Sequence, residues 1–207
     1  MAAVTEAPAA ALVLHRLQRN KALIPIIGQT PVIPHKWSEK AKRMMLDKQQ
    51  GKAVVKKAPK DPEQDAKDAT YWLEDGRPGI PATAFKSAIA DAAGHFDGIT
   101  KVLMKQSVFV VGEGTDQLVA LNGEISMRED MPRNATGVAD LRYRNQIWPW
   151  SAELEIEYIA SALTPEALIA LVDAAGLGGV GDWRPSSPKS KSGTFGRWTV
   201  TGEIANV

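Results

Sequence analysis

The sequence GGVGDWRP, residues 178–185, lies between a helix predicted over residues 165–175 and a strand predicted over residues 194–200. A second run, GTFGR at residues 193–197, leads into that strand. Up to Trp198 the segment holds five glycines, two tryptophans and four cations, and its basic half includes no acid. Glycine lets another backbone come close, and exposed amides beside arginine and lysine suit an anion such as a phosphate chain. The segment therefore favours a nucleic-acid-binding function.

The glycine spacing of this segment does not indicate a nucleotide cofactor. Gly176, Gly178 and Gly181 have the spacing of the dinucleotide fingerprint, but they follow a predicted helix rather than a strand. In that fingerprint a helix begins behind the glycines and holds the pyrophosphate, and no such helix is predicted here. The run Lys189-Ser190-Lys191-Ser192-Gly193 likewise lacks the leading glycine of a P-loop. We therefore expect no cofactor.

Composition limits how such a protein binds a nucleic acid. The 207 residues are 44% hydrophobic and carry a formal net charge of +1, so we expect a folded core but no uniformly basic surface. Charge is instead segregated along the chain. Residues 36–60 hold nine cations against two acids, and residues 61–75 hold six acids against one lysine. Any phosphate-binding surface therefore depends on local clusters of cations.

The sequence also indicates in which cellular compartment the protein resides. The chain has no cysteine, which excludes disulfides, cysteine metal ligands and a cysteine nucleophile. Its first residues lack the cationic start of a signal peptide, and the apolar run at residues 9–14 is too short to span a bilayer. We expect a soluble cytoplasmic protein with no membrane partner.

The order of predicted elements indicates an α+β fold. Apolar residues alternate with three glutamates over residues 152–158, and a solvated sheet face is a better interpretation of those glutamates than a general acid–base pair. Thr83 is the expected N-cap of a helix that Gly94 closes. We predict an elaborated ferredoxin-like (βαββαβ) antiparallel sheet with helices on one face. It forms a single domain, residues 1–207, with a long insertion at about 21–75 and a long charged excursion at about 122–150. The other predictions are strands at 10–17, 101–111, 117–121 and 139–145, a helix at 37–49, a loop or partly disordered linker at 56–69, and a turn at 148–150.

Catalytic candidates are few. The three histidines, His15, His35 and His95, are far apart and form no metal-ligand pattern, so we predict no metal site. Metal-independent RNA cleavage usually needs a histidine or another placed acid–base group. His15 is the best candidate for that role and Asp130 the second. A structural role for His15 in the first predicted strand is nevertheless the favoured interpretation.

The tryptophans offer a route to base recognition. The chain has six tryptophans against four phenylalanines. Trp148 and Trp150 flank Pro149, and such rings either stack on bases or cover the edge of the core. The sequence leaves both interpretations open.

Two motifs stand in a specific order along the chain. Residues 80–89 read IPATAFKSAI, and residues 178–197 begin with Gly-Gly and end with GTFGR. The pair resembles the start of the first helix and the C-terminal glycine-rich loop of the RAMP superfamily, the CRISPR-associated backbone and processing proteins. Ser87 stands where a glycine is common, residues 89–91 lack the usual arginine, and residues 185–192 lengthen the loop. Pieces of the sequence are also similar to small phage proteins, so we expect a phage-encoded member.

This resemblance implies a non-catalytic protein that binds single-stranded RNA or single-stranded DNA and self-assembles along the strand as a homo-oligomer or filament. Other phage or CRISPR-like subunits would be further partners, and the bacterial host cytoplasm the location. The excursion at about 122–150 would be a thumb-like hairpin that intrudes between nucleotides. The implied phosphate contacts are Thr83, Lys86, Arg128, Arg133, Arg142, Arg144, Arg184, Lys189, Lys191 and Arg197, and the implied glycine-rich loop consists of Gly178, Gly179, Gly181, Gly193 and Gly196.

Two other functions stay open at this point. The net charge of +1 permits a phage structural or host-interaction protein that uses the fold for protein contacts only. A metal-independent endoribonuclease of the same superfamily is the second, and it would need His15.

Overall fold

The computed structural model describes residues 15–52, 59–132, 137, 139–188, 192–202 and 205–206. Two antiparallel sheets and five α-helices form within these residues. The strands are β1 (Arg19–Gly28), β2 (Tyr71–Trp72), β3 (Pro78–Pro81), β4 (Val108–Val111), β5 (Leu118–Ala120), β6 (Asn122–Asp130), β7 (Arg142–Ile159), β8 (Trp198–Val200) and β9 (Ala205–Asn206), and the helices are α1 (Glu39–Gln49), α2 (Pro62–Asp68), α3 (Ala82–Ala92), α4 (Lys101–Ser107) and α5 (Pro165–Gly178).

The main sheet has the strand order β4-β7-β1-β8, and all its pairings are antiparallel. Along the chain these four strands alternate with α3 and α5 as β1-α3-β4-β7-α5-β8. The spatial order is therefore second, third, first, fourth, which is the ferredoxin-like arrangement. The predicted α+β fold with a βαββαβ core is confirmed.

The core lies between this sheet and the two helices. Every second residue of β1, from Ala22 to Ile26, is buried, and so is every second residue of β7 from Ala152 to Tyr158. The helices cover that face with their own apolar stripes, and the ring of Phe85 on α3 lies 5.5 Å from that of Trp198 on β8. Burying each such large apolar side chain contributes roughly 1.5–3 kcal/mol, so this layer stabilises the fold.

The opposite face of the sheet is polar. Glu155 and Glu157 point away from the helices and form ion pairs with Lys21 on β1, at 2.8 and 3.4 Å. The expectation of a solvated sheet face for the glutamates of residues 152–158 is confirmed, because Glu155 and Glu157 are paired at the surface and Glu153 is exposed.

Two elements differ from the sequence prediction because side-chain caps begin helices there. Asp61 accepts a hydrogen bond from the backbone of Gln64 at 3.1 Å and starts α2, where a loop was predicted. Thr100 accepts one from Leu103 at 3.1 Å and starts α4, so only the last four residues of the predicted strand 101–111 are strand. Thr83, the expected N-cap of α3, lies inside the first turn, and Pro81 takes the cap position without a side-chain hydrogen bond.

The strand predictions also shift in places. The predicted strand 10–17 falls mostly outside the described residues, and the first described strand, β1, begins at Arg19. Because β1 continues to Gly28, residues 21–28, assigned to the insertion, belong to the main sheet. Residues 148–150 do not form a turn but lie inside the 18-residue strand β7. Strand β5 pairs with β3 in a second, three-stranded sheet rather than with β4.

The two excursions from the core lie side by side. The segment after β1 carries α1 and α2, and β6 forms a long hairpin with the first half of β7. Helix α2 packs against β7, and the amide of Asn145 on β7 donates to Thr70 at 3.1 Å. None of the helices in the described ranges is long and apolar enough to cross a membrane.

Gly176 in α5 sets the distance between that helix and β8. A Cβ atom at this position would lie 2.0 Å from the carbonyl oxygen of Trp198. Gly176→Ala should therefore lower the free energy of unfolding by about 1–3 kcal/mol, as overpacking does, measured by urea denaturation. Gly94→Ala is the matched control, because a Cβ there meets nothing within 4 Å. Equal stability of the two variants would contradict the close approach of α5 and β8.

Candidate nucleic-acid interface

A cleft of about 340 Å³ lies between the start of α3 and the glycine-rich loop that follows α5. Thr83 and Ser87 line it from the helix, and Gly181 and Arg184 from the loop. These two segments, about 100 residues apart in sequence, carry the two motifs singled out above. The volume falls in the range of small-ligand sites. The remaining lining residues are His35, Trp37, Tyr71, Ile80, Pro81, Ala84, Ala88, Asp91, Gly179, Asp182 and Ser186.

The glycines of the loop serve close backbone packing. Gly181 and Gly196 have φ angles of 79° and 68°, in the left-handed region that glycine adopts without strain. A Cβ on Gly196 would lie 1.9 Å from the carbonyl oxygen of Val180, and one on Gly181 would lie 2.6 Å from that of Ile33. The loop is therefore threaded tightly against the segment after β1.

Most of the loop's backbone amides donate hydrogen bonds within this packing. The amide of Val180 donates to Gly196 at 3.0 Å, that of Asp182 to Ile33 at 2.8 Å, and that of Gly196 to Pro31 at 2.8 Å. The expectation that the loop offers exposed amides to a phosphate is wrong at these positions, because each amide already has a backbone acceptor. Anion binding in the cleft thus rests on side chains.

A buried cluster of two arginines and two carboxylates, Arg128, Asp130, Arg144 and Asp182, holds the loop against the β6–β7 hairpin. Arg144 on β7 donates to Asp130 at 2.9 Å and forms a hydrogen-bonded ion pair with Asp182. Arg128 on β6 donates to both oxygens of Asp130, at 2.6 and 2.9 Å. The Arg144 side chain is only 3% exposed, so its charge depends on these two carboxylates. We call this set the arginine–carboxylate cluster.

Two aromatic rings of the loop cover the cluster. The rings of Trp183 and Phe195 are 6.0 Å apart and tilted by 53°. The guanidinium carbon of Arg144 lies 4.5 Å from the Trp183 ring, and that of Arg128 lies 4.8 Å from the Phe195 ring. Cation–π attraction of this kind strengthens as water is excluded. Trp183 also has a φ of 53°, a strained value for a bulky residue that its packing holds in place.

Asp182 joins the cluster to the cleft. Burial raises the pKa of its carboxyl group, but the hydrogen bond from His35 and the charge of Arg144 outweigh burial and lower the pKa to about 2. Asp182 is therefore ionised at neutral pH. Its Oδ2 atom lies 3.0 Å from Nδ1 of His35, which leaves Nε2 as the ring nitrogen available to a ligand.

The acids of the cleft are neutralised, whereas its cation is not. Asp182 pairs with Arg144, and Asp91 pairs with Lys101 at 2.9 Å. Arg184 donates to Ser186 at 3.1 Å and to the carbonyl of Gly181 at 3.0 Å, and it forms no ion pair within the described part of the chain. The cleft thus presents an uncompensated positive charge to a ligand.

A second cavity adjoins the cleft. This groove, of about 550 Å³, lies between α1 and the start of β7 and shares His35 and Trp37 with the cleft. Lys36 and Lys40 line it, and neither forms an ion pair within the described residues. Its other lining residues are Ser38, Ala41, Met44, Met45, Lys60, Asp65, Ala69, Asp140, Leu141, Arg142, Tyr143 and Arg144.

The structure separates the predicted phosphate contacts into several groups. Thr83 and Arg184 line the cleft, and Arg142 lines the groove, where it pairs with Asp140 at 3.0 Å. Arg144 is buried and neutralised by two carboxylates, so the structure offers no free charge there for a phosphate. Arg128 is likewise occupied by Asp130. Lys86 lies 4.1 Å over the ring of Phe109, Arg197 donates to Gln29 at 3.1 Å, and Arg133, Lys189 and Lys191 lie outside the described residues.

The structure also places the catalytic candidates elsewhere than the sequence predicts. His15 is exposed before β1 and lines neither the cleft nor the groove. Asp130, expected in an exposed segment, is buried in the arginine–carboxylate cluster. The histidine that reaches the cleft is His35, and no local sequence pattern marks it for that position. Within the described residues, no group of three or more His, Asp or Glu side chains is placed to hold a metal ion.

Comparison with known proteins adds a likeness of fold. No protein-family model and no curated protein sequence matches the chain. The chain is similar to one in the cryo-EM structure of Type III-B Cmr-beta bound to cognate target RNA, with a TM-score of 0.49 and 10% identity over 91% of this chain. It spans 61% of that chain's length. It is also similar to Cmr6 from Pyrococcus furiosus, with a TM-score of 0.41 and 10% identity, over 90% of this chain and 100% of that one. The fold assignment itself rests on the strand order.

Asp130→Asn tests the arginine–carboxylate cluster. Among the described residues, removing this charge leaves Arg128 without a carboxylate partner and Arg144 with Asp182 alone, so we expect a loss of about 3–5 kcal/mol in the free energy of unfolding. Asp140→Asn is the matched control, since Asp140 forms exposed pairs with Lys60 and Arg142 and should cost about 1 kcal/mol or less. Urea denaturation of both variants measures the difference. Similar losses in the two variants would show that the cluster does not hold the loop.

Proposed function

We propose that this protein is a non-catalytic binder of single-stranded nucleic acid, RNA or DNA. The strand passes through the cleft and the adjoining groove. The observation that carries the proposal is the meeting of the two RAMP-like motifs in one cleft with an unpaired cation, Arg184. The groove continues the same surface with Lys36 and Lys40. Cations spaced along a channel match the repeating charge of a phosphate backbone better than they match a single small anion.

The shape of the cavities favours a single strand over a duplex. The cleft has room for about one nucleotide-sized group, and it is closed on two sides by α3 and the glycine-rich loop. A single strand lets its unstacked bases and phosphates enter such a cavity one at a time, whereas the bases of a duplex are paired inside it. Shape and charge thus agree on the class of ligand.

Self-association belongs to the same proposal. The resemblance of residues 80–89 and 178–197 to the RAMP superfamily supports copies that line up along one strand, alone or with CRISPR-like subunits. The local charge supports it as well. With a formal net charge of +1, one copy offers only a few cations, so stable binding to a long strand gains from several copies acting together.

Arg184→Ala should weaken binding and lower its dependence on salt. Loss of one phosphate contact reduces the slope of log K against log salt by about one unit, for RNA and DNA strands alike. Fluorescence anisotropy with labelled 20-nucleotide single strands and a matched duplex, over a series of salt concentrations, measures both quantities. Arg77→Ala is the control, because Arg77 pairs with Asp75 and Glu113 away from the cleft and should leave the slope unchanged.

Size-exclusion chromatography with absorbance at 260 and 280 nm reports assembly in the same samples. A large species that shrinks after nuclease treatment or in high salt supports growth along the strand. A wild-type protein that binds neither single strand at low salt would overturn the proposal and leave a scaffold for protein contacts as the better explanation.

One observation favours a second candidate function, metal-independent cleavage of RNA. His35 lines the cleft, and its Nδ1 is held by the ionised Asp182 at 3.0 Å, as a carboxylate orients the base in many hydrolytic sites. Neutral His35 would take the proton of a ribose 2′-hydroxyl at Nε2 while the 2′-oxygen attacks the adjacent phosphorus. The bond from phosphorus to the 5′-oxygen breaks, that oxygen takes a proton from water, and the hydroxide so formed takes the proton held at Nε2 of His35. The products are a 2′,3′-cyclic phosphate and a 5′-hydroxyl.

His35→Ala separates this candidate from binding alone. If the protein cleaves RNA, the variant should lose cleavage by about 100-fold or more while retaining RNA binding within a few-fold. Denaturing gels of labelled RNA, with DNA of the same sequence as the uncleavable substrate, give the readout. His15→Ala is the control and should cleave as the wild type does. RNA that stays intact with the wild-type protein rules out the second candidate and leaves the binding function in place.

A further inference from the structure

Trp37 is a large aromatic residue whose exposure the packing of the fold does not explain. Its side chain is 52% exposed. It precedes Ser38, the N-cap of α1, where an apolar residue often packs against the fourth residue of the helix. That residue is Lys42, so no such contact with an apolar partner forms. Helix α1 also buries none of its residues, so it offers Trp37 no buried side chain of its own to pack against.

The position of Trp37 is specific. Among the residues that the structure describes, two line both the cleft and the groove, Trp37 and His35. The indole ring therefore stands where the two cavities meet. Any chain molecule that runs from one cavity into the other passes beside this ring.

Cations lie on both sides of the ring. Arg184 is in the cleft, and Lys36 and Lys40 are in the groove, and none of the three forms an ion pair within the described residues. The Nζ atom of Lys36 lies 5.8 Å from the ring centre of Tyr71, which is an aromatic contact and not an ion pair. An exposed aromatic face between positive charges matches the alternation of base and phosphate in a single strand.

A peptide is the competing occupant, because Met44, Met45 and Leu141 give the groove an apolar lining. The charge argues against it. An apolar helix or strand would leave Lys36, Lys40 and Arg184 uncompensated, whereas phosphates on either side of a stacked base would pair with them. Charge complementarity thus selects the nucleic acid.

We infer that Trp37 is a stacking platform for one unpaired base, at the point where a single strand passes from the cleft into the groove. This inference rests on the proposed binding function and adds the residue that contacts the base. Stacking uses the face of the ring and no hydrogen bond to the base edge, so the site accepts any of the bases. The protein would bind strands of different sequence with similar affinity, and purines somewhat more tightly than pyrimidines because they stack over a larger area.

The test compares a 10-nucleotide single strand with a strand of the same length that has phosphates and sugars but no bases. Trp37→Ala should weaken binding of the intact strand by about tenfold, the effect of losing one base–aromatic stack. It should leave binding of the base-free strand unchanged. Trp37→Phe keeps an aromatic face and should retain most of the affinity for the intact strand. Phe96→Leu, which removes another partly exposed ring beyond the C-terminal end of α3, should have no effect on either strand.

The outcomes separate the inference from the function on which it rests. A wild-type protein that binds neither strand overturns the binding function and the inference together. Equal affinity of wild type and Trp37→Ala for the intact strand, with Arg184→Ala still impaired, overturns the stacking role alone and points to the groove as a protein-docking surface. An equal loss on both strands also overturns stacking, because Trp37 would then act on the backbone path. A loss confined to the intact strand supports the inference, with unchanged thermal unfolding of the variant as the check on folding.

Discussion

The buried guanidinium of Arg144 is the constraint on which the functional part of the structure depends. A charge that is almost completely removed from water must be neutralised where it lies, and Asp130 and Asp182 do this from two different segments. Asp130 ends strand β6, and Asp182 belongs to the glycine-rich loop. The arginine therefore fixes the hairpin and the loop to each other. Trp183 and Phe195 exclude water from the same spot, which strengthens every charge interaction beneath them.

This arrangement divides the cations of the chain into two classes. Arg128 and Arg144 hold the fold together and are committed to carboxylates, whereas Arg184, Lys36 and Lys40 face the cavities without such partners. A formal net charge near zero is therefore compatible with an anion-binding surface. The overall charge of a chain describes its solubility and long-range field, but a binding site depends on which charges remain unpaired where the ligand lies.

The sequence predicted the core well and the site only in part. The alternation at residues 152–158, the capped helix α5 and the motif at residues 80–89 were enough for the βαββαβ order, because each is a local pattern with a strong period or cap. Helices α2 and α4 were not predicted. In each, one capping side chain starts a helix although the composition, charged in α2 and apolar in α4, favoured a loop or a strand. The ion pairs of Arg144 were not predicted, because its partners are 14 and 38 residues away and sequence spacing carries no sign of that pairing. His35 reached the cleft through the path of the chain after β1, which no local pattern encodes.

Asp182 decides how the cleft treats a negatively charged ligand. A bare carboxylate beside Arg184 would repel phosphate and would favour an internal ion pair that closes the site. Arg144 neutralises Asp182, and Lys101 neutralises Asp91. Neither acid therefore needs Arg184 as its ion-pair partner. The same ionised Asp182 orients His35 toward the cavity. The ion pair between Arg144 and Asp182 thus keeps the loop in place and leaves Arg184 free for a ligand. It also determines that the ligand meets Nε2 of His35. The stability of the loop and the chemistry of the cleft are therefore determined together.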